Sequence, residues 1–136
     1  MAVRGQISLE YLIVVSFVMF AVIVLLGVSL FYASSVQDQI KVNQLSTFAN
    51  KILNSAESVY YSGEPSKSTI TAFLPEGVQD FEIVSNSLVF TFVTSSGTSI
   101  VAFESNVPLD EGFELSLNQG VKRLTITTDG DKIYVA

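Results

Sequence analysis

The stretch YLIVVSFVMFAVIVLLGVSLFYA, residues 11–33, is broken only by Ser16, Gly27 and Ser29, and no charged side chain occurs from Tyr11 to Gln37. It is too long for a strand and apolar around its whole circumference. That pattern predicts a helix buried on every face, in lipid or among other helices. At about 1.5 Å per residue a helix of this length covers roughly 35 Å, enough to cross a hydrocarbon core of about 30 Å. A secretory signal peptide has an apolar core of about 7–15 residues with small residues at a cleavage site after it. Here the run is longer, and the small residue Gly5 comes before it.

Beyond Ala33 the pattern changes. In SSVQDQIKVNQLSTFANKILNSAESVYY (34–61), apolar residues fall at Val36, Ile40, Leu45, Phe48, Ala49, Ile52, Leu53, Ala56, Val59 and Tyr60, with Lys51, Asn54 and Glu57 on the other side. This is an amphipathic stripe at helical period. No proline occurs before Pro65, so one helix is expected from Gln6 to about Tyr61, with a break or kink near Gly27 or Ser34-Ser35. SGEP at 62–65 stops it, with glycine just past its end and proline soon after.

From Ser62 onward the chain reads as β: strands at Thr69–Leu74, Phe81–Val84, Leu88–Thr94, Ser99–Phe103, Val121–Thr128 and Lys132–Val135. PEG (75–77), SNS (85–87) and SSG (95–97) mark turns, VPLDEG (107–112) a loop, and Asp129-Gly130 a two-residue hairpin turn. Consecutive hairpins imply one antiparallel sheet with one face covered, and the Leu45–Tyr60 stripe is the expected cover. The fold class is α+β: a long hydrophobic N-terminal helix continuing into an amphipathic half packed on a small antiparallel β head.

Composition narrows the chemistry. The chain has 136 residues, no histidine and no cysteine. It therefore lacks the commonest catalytic base, the commonest metal ligand and any thiolate nucleophile. No catalytic residues, cofactor or resident metal are assigned, and an enzyme is not expected. Asp110, Glu111 and Glu114, and separately Asp129 and Asp131, are read as solvated acidic surface rather than Ca²⁺ ligands. The net charge is −6, and the seven bases are scattered, which argues against nucleic-acid binding. No Asn-x-Ser/Thr acceptor occurs.

Outward in the other direction, Arg4-Gly5 precedes QISLEYL (6–12). Gln6, Ser8 and Glu10 in this register, beside an uncharged apolar run, resemble the Q-x-S-x-E processing motif of class III signal peptides in archaeal type IV pilin-like proteins. The resemblance implies a lollipop-like subunit and cleavage between Gly5 and Gln6 by a prepilin peptidase. Residues 1–5 would be the leader, 6–34 the transmembrane and filament-core helix, 35–61 the amphipathic helix and 62–136 the β head. It further implies a precursor that spans the membrane once with its N-terminus cytoplasmic. An assembly platform and an ATPase then build copies into an extracellular filament for adhesion. A minor pilin or pseudopilin, and a bitopic anchor displaying a β binding module, are the alternative readings.

In the filament reading, Glu10 pairs with the α-amine that cleavage creates at Gln6, on a neighbouring copy or its own chain, and fixes axial register. Cyclisation of the N-terminal glutamine would erase that amine's charge. The simpler reading places Glu10 in the first turn, where an acid meets the positive end of the helix dipole, with Ser8 as N-cap. Gly27 and Ser29 suit close helix approach.

Overall fold

The computed structural model describes the backbone of residues 2–136 and the side chains of residues 5–136; Met1 and the Arg4 side chain lie outside the described residues. The chain divides into two units, the first ending at Gln37 and the second running from Asp38 to Ala136. A single helix, α1 (Ala2–Ser62), supplies all of the first and the opening of the second.

No break interrupts α1, which is helical through Gly27 and Ser34-Ser35. Two hydroxyls along this part of α1 turn back onto the ladder. Ser16 Oγ donates to the Leu12 carbonyl at 2.7 Å, and Ser34 Oγ to the Leu30 carbonyl at 3.3 Å. A lone glycine costs a helix only about 1 kcal/mol, too little to interrupt a long, uniformly apolar helix. The helix also begins earlier than Gln6, because nothing from Ala2 to Gly5 stops it. Ser8 is therefore inside α1 and does not cap it, and Glu10 lies beyond the first turn, which carries no acid. The C-terminus ends as expected: Gly63, with φ +73°, donates its N–H to the Tyr60 carbonyl at 3.2 Å.

In the second unit the strands are β1 (Lys67–Leu74), β2 (Val78–Val84), β3 (Ser87–Thr94), β4 (Gly97–Glu104), β5 (Gly120–Thr128) and β6 (Ile133–Val135). They form two three-stranded antiparallel sheets rather than one, ordered β1-β5-β6 and β2-β3-β4. The sequence-adjacent β1 and β2 do not pair. Buried Pro75 and Gly77, with φ +87°, turn the chain from one sheet into the other. The segment between β4 and β5 returns it, bridging to β6 on the way: Asp110 N–H donates to the Ile133 carbonyl and Ile133 N–H to the Pro108 carbonyl. Two turns differ in kind. Ser85 and Asn86 both have positive φ and join β2 to β3 as a two-residue primed turn. The Asp129-Gly130 turn is instead a four-residue loop, since Thr128 pairs with Ile133. The Asp129 carboxylate accepts the N–H groups of Asp131 and Lys132, which holds the longer loop closed.

The inner faces of both sheets and the stripe of α1 share one core. Leu45, Phe48, Ala49, Ile52, Leu53, Ala56 and Val59 bury against Ala72, Leu74, Ile83, Leu88, Phe90, Leu124, Ile126 and Ile133. The stripe starts at Leu45; Val36 and Ile40 remain exposed. Phe90 sits at the centre, with Phe48 of α1, Phe81 of β2 and Phe103 of β4 at centroid distances of 6.1, 4.9 and 6.1 Å. Truncating it removes the ring that joins the helix to one sheet. Phe90→Ala should lower unfolding stability by about 3–5 kcal/mol, read by denaturant titration of the full chain in detergent micelles. A loss below about 1 kcal/mol would show that the core is organised elsewhere.

Candidate functional site

The residues singled out at the N-terminus lie along the beginning of α1. Gly5, Gln6, Ser8 and Glu10 are all exposed, and a Cβ at Gly5 would meet nothing within 4 Å. Gln6 and Glu10 are four residues apart, so they occupy one face of α1 on successive turns. Ser8 is two residues from each, on another face. Immediately after Glu10, every large apolar side chain from Tyr11 to Tyr32 is exposed, Leu30 and Phe31 to 72% and 76%. Within α1 this stretch is long and apolar enough to cross a membrane, and no part of its most apolar window is buried in the fold.

Full burial of a large apolar side chain is worth about 1.5–3 kcal/mol. Summed over this segment, exposure to water would cost tens of kcal/mol, more than the 5–15 kcal/mol net stability of an ordinary domain. The segment's chemistry is therefore association: with acyl chains, or with other apolar helices.

The acidic groups of the second unit are occupied as structural caps or stand apart. Asp110 accepts the Gly112 N–H, and Glu111 and Glu114 are exposed. Asp129 is held below the ordinary carboxylate range, first by the Lys132 N–H, then by the Tyr134 hydroxyl at 2.8 Å and the Asp131 N–H. The same hydrogen bond raises Tyr134, because losing its proton would set an anion beside Asp129. Among the described residues no three acidic side chains gather into a cation site. A groove of about 330 Å³ between α1 and β1 is lined by Ile40, Asn43, Thr47, Phe48, Lys51 and Phe73, among others. Lys51 Nζ donates to the Thr71 carbonyl at 2.9 Å, closing part of the open edge of β1. The groove presents amides, a hydroxyl, one amine and apolar walls, with no nucleophile–base pair.

Sequence reasoning did not anticipate two contacts that tie the start of the amphipathic half to the β3–β4 turn and to the β1–β2 connection. Asp38 accepts the Ser95 N–H and hydroxyl at the β3–β4 turn. One turn on, Lys41 pairs with Glu76 at 3.5 Å. The visible signal was an acid and a base three residues apart just beyond the uncharged run. Nothing local, however, identifies partners 57 and 35 positions away.

No family model, curated protein or solved structure matches this chain.

The Ser95 hydroxyl, then its N–H, hold Asp38 below the ordinary carboxylate range, with a smaller contribution from Lys41. A depressed native value stabilises the fold above the unfolded value of about 3.9, and that stability is lost as pH falls through the native value. An NMR titration of the Ser95 amide should therefore show its midpoint below about pH 3.9, and Ser95→Ala should move the Asp38 midpoint upward. An Asp38 carboxyl titrating at the ordinary value in the unaltered chain would show that the contact does not persist in solution.

Proposed function

We propose that this chain is the precursor of a structural subunit of a type IV pilus-like surface filament, for adhesion, and that it is not an enzyme. The observation that carries the reading is the wholly exposed apolar surface from Tyr11 to Tyr32, entered through a single carboxylate at Glu10. An ordinary anchor needs the apolar span but has no use for an acid at its mouth set four residues after a Gly-Gln bond.

In this reading the precursor spans the cell membrane once, with residues 1–5 cytoplasmic. A membrane peptidase cuts the Gly5–Gln6 bond. To reach a protease that binds extended backbone, the helix must unwind locally. Glycine lowers that cost by about 1 kcal/mol relative to alanine and leaves the bond uncrowded. Cleavage leaves Gln6 at the N-terminus, with an α-amine that is mostly protonated at neutral pH. Glu10 then lies near the new helix start, where the dipole favours an acid. Pairing with the amine of Gln6 on a neighbouring copy becomes strong only where water is excluded. Such a pair fixes register rather than adding much net stability. An assembly platform and ATPase lift the subunit from lipid, and the apolar helices of other copies replace the acyl chains, giving an extracellular homopolymer. The β head, residues 62–136, faces outward.

N-terminal sequencing of surface material should begin at Gln6, or be blocked there by cyclisation, with mass spectrometry giving the same boundary. Gly5→Trp should leave the full-length chain in the membrane. Native material that begins at Met1 or Ala2 and stays dispersed in membranes would instead favour a bitopic anchor. Glu10→Gln should leave cleavage intact and reduce fibre yield at least tenfold by electron microscopy; normal fibres from that variant would remove the proposed register role.

A further inference from the structure

The charged side chains carried on the strands divide by sign between the two sheets. The strands β1, β5 and β6 carry Lys67, Lys122 and Arg123 and no acid; β2, β3 and β4 carry Asp80, Glu82 and Glu104 and no base. Strand alternation sorts these further. On the first sheet Lys67 and Arg123 are exposed on the face turned away from the core, while Lys122 lies in the inward row and reaches Ser116 Oγ. On the second, Asp80, Glu82 and Glu104 are all exposed on the outward face. Lys41–Glu76 is the one salt bridge among the described residues, so these five outward charges have no partner of opposite sign there.

Each outward face also carries apolar side chains. On the basic face Phe73 and Val121 are a registered pair, 41% and 68% exposed. On the acidic face Ile100 is 70% exposed, with Val93 on the adjacent strand. Two different patches, each apolar with charges of one sign around it, suit a head-to-tail contact. A contact of that kind propagates into an open helical array, whereas a self-complementary patch closes into a dimer. Exposed charges contribute little affinity, but they select orientation and reject like faces. Without such matching, heads of a chain with net charge −6 repel one another.

We propose that the basic outer face of one head docks on the acidic outer face of the next copy. Phe73 and Val121 meet Ile100 and Val93, while Lys67 and Arg123 face Asp80, Glu82 and Glu104. The inference rests on the filament reading and names the surface by which its heads meet.

The absence of native cysteine makes disulfide trapping clean. In the full chain expressed in its own cells, the double variant Val121→Cys with Ile100→Cys should give a ladder of oxidised multimers. Each single variant should stay at least tenfold less cross-linked. Val18→Cys, on the apolar helix, separately reports helix association. Lys67→Glu with Arg123→Glu should cut the head ladder at least fivefold, as should Asp80→Lys with Glu82→Lys. All four together should restore it, with near-UV circular dichroism unchanged in every variant. Helix cross-links without the head ladder overturn this docking and leave the filament reading standing; loss of both overturns both. Val121 trapped only with Val121, or shielded from labelling without reaching Ile100, shows a two-fold pairing or another occupant such as anionic lipid, and overturns the proposal.

Discussion

Apolar surface that its own fold does not cover constrains everything else in this protein. From Tyr11 to Tyr32 the helix offers no polar face, and a helix apolar all round is stable only inside something. The backbone answers the same demand: an unbroken α-helix satisfies its peptide groups internally, as any segment in hydrocarbon must. Ser16 and Ser34 follow suit by returning their hydroxyls to the carbonyl one turn back. The interior of this segment is chemically uniform, so the informative residues are at its ends: Gly5, Gln6 and Glu10 before it, Asp38 and Lys41 after it.

Past Gln37 the same helix has a different task. Its stripe from Leu45 to Val59 closes a core against two sheets, and Phe90 touches the helix and both of its own sheet neighbours. The β3–β4 turn and the β1–β2 connection are fastened to the helix by Asp38–Ser95 and Lys41–Glu76. Both contacts lie at the surface with one partner half-buried, so they contribute orientation more than stability. The outward faces of the two sheets are left free, and each keeps charges of one sign.

What could be read from the sequence followed from local physics. The stop at Ser62-Gly63 and the buried stripe from Leu45 depend on residues within a turn or two of one another. So do the strands, whose edges moved by only a few residues. Pairing partners were less accessible. PEG between β1 and β2 looks like a hairpin turn, yet β1 takes β5 as its neighbour, about 50 positions away, because Ala72 and Leu74 face the core from a different sheet than Ile83 does. Asp129-Gly130 has the composition of a two-residue turn, but the Asp129 side chain holds two N–H groups and lengthens it. No break occurs at Gly27 or Ser34-Ser35, because a weak local preference does not interrupt a long apolar helix. Of the candidate site, the motif residues were legible, whereas the Ser95 and Glu76 contacts and the charge division between sheets require the three-dimensional pairing.

The chain contains no tryptophan, so Phe20→Trp creates a single reporter in the middle of the apolar helix. Its emission, followed in membranes containing brominated acyl chains and then in purified fibres, asks directly what covers that surface. The account predicts blue-shifted emission in both states, strongly quenched by brominated lipid in the membrane and unquenched in the fibre. Red-shifted emission in either state would place the helix in water and contradict it.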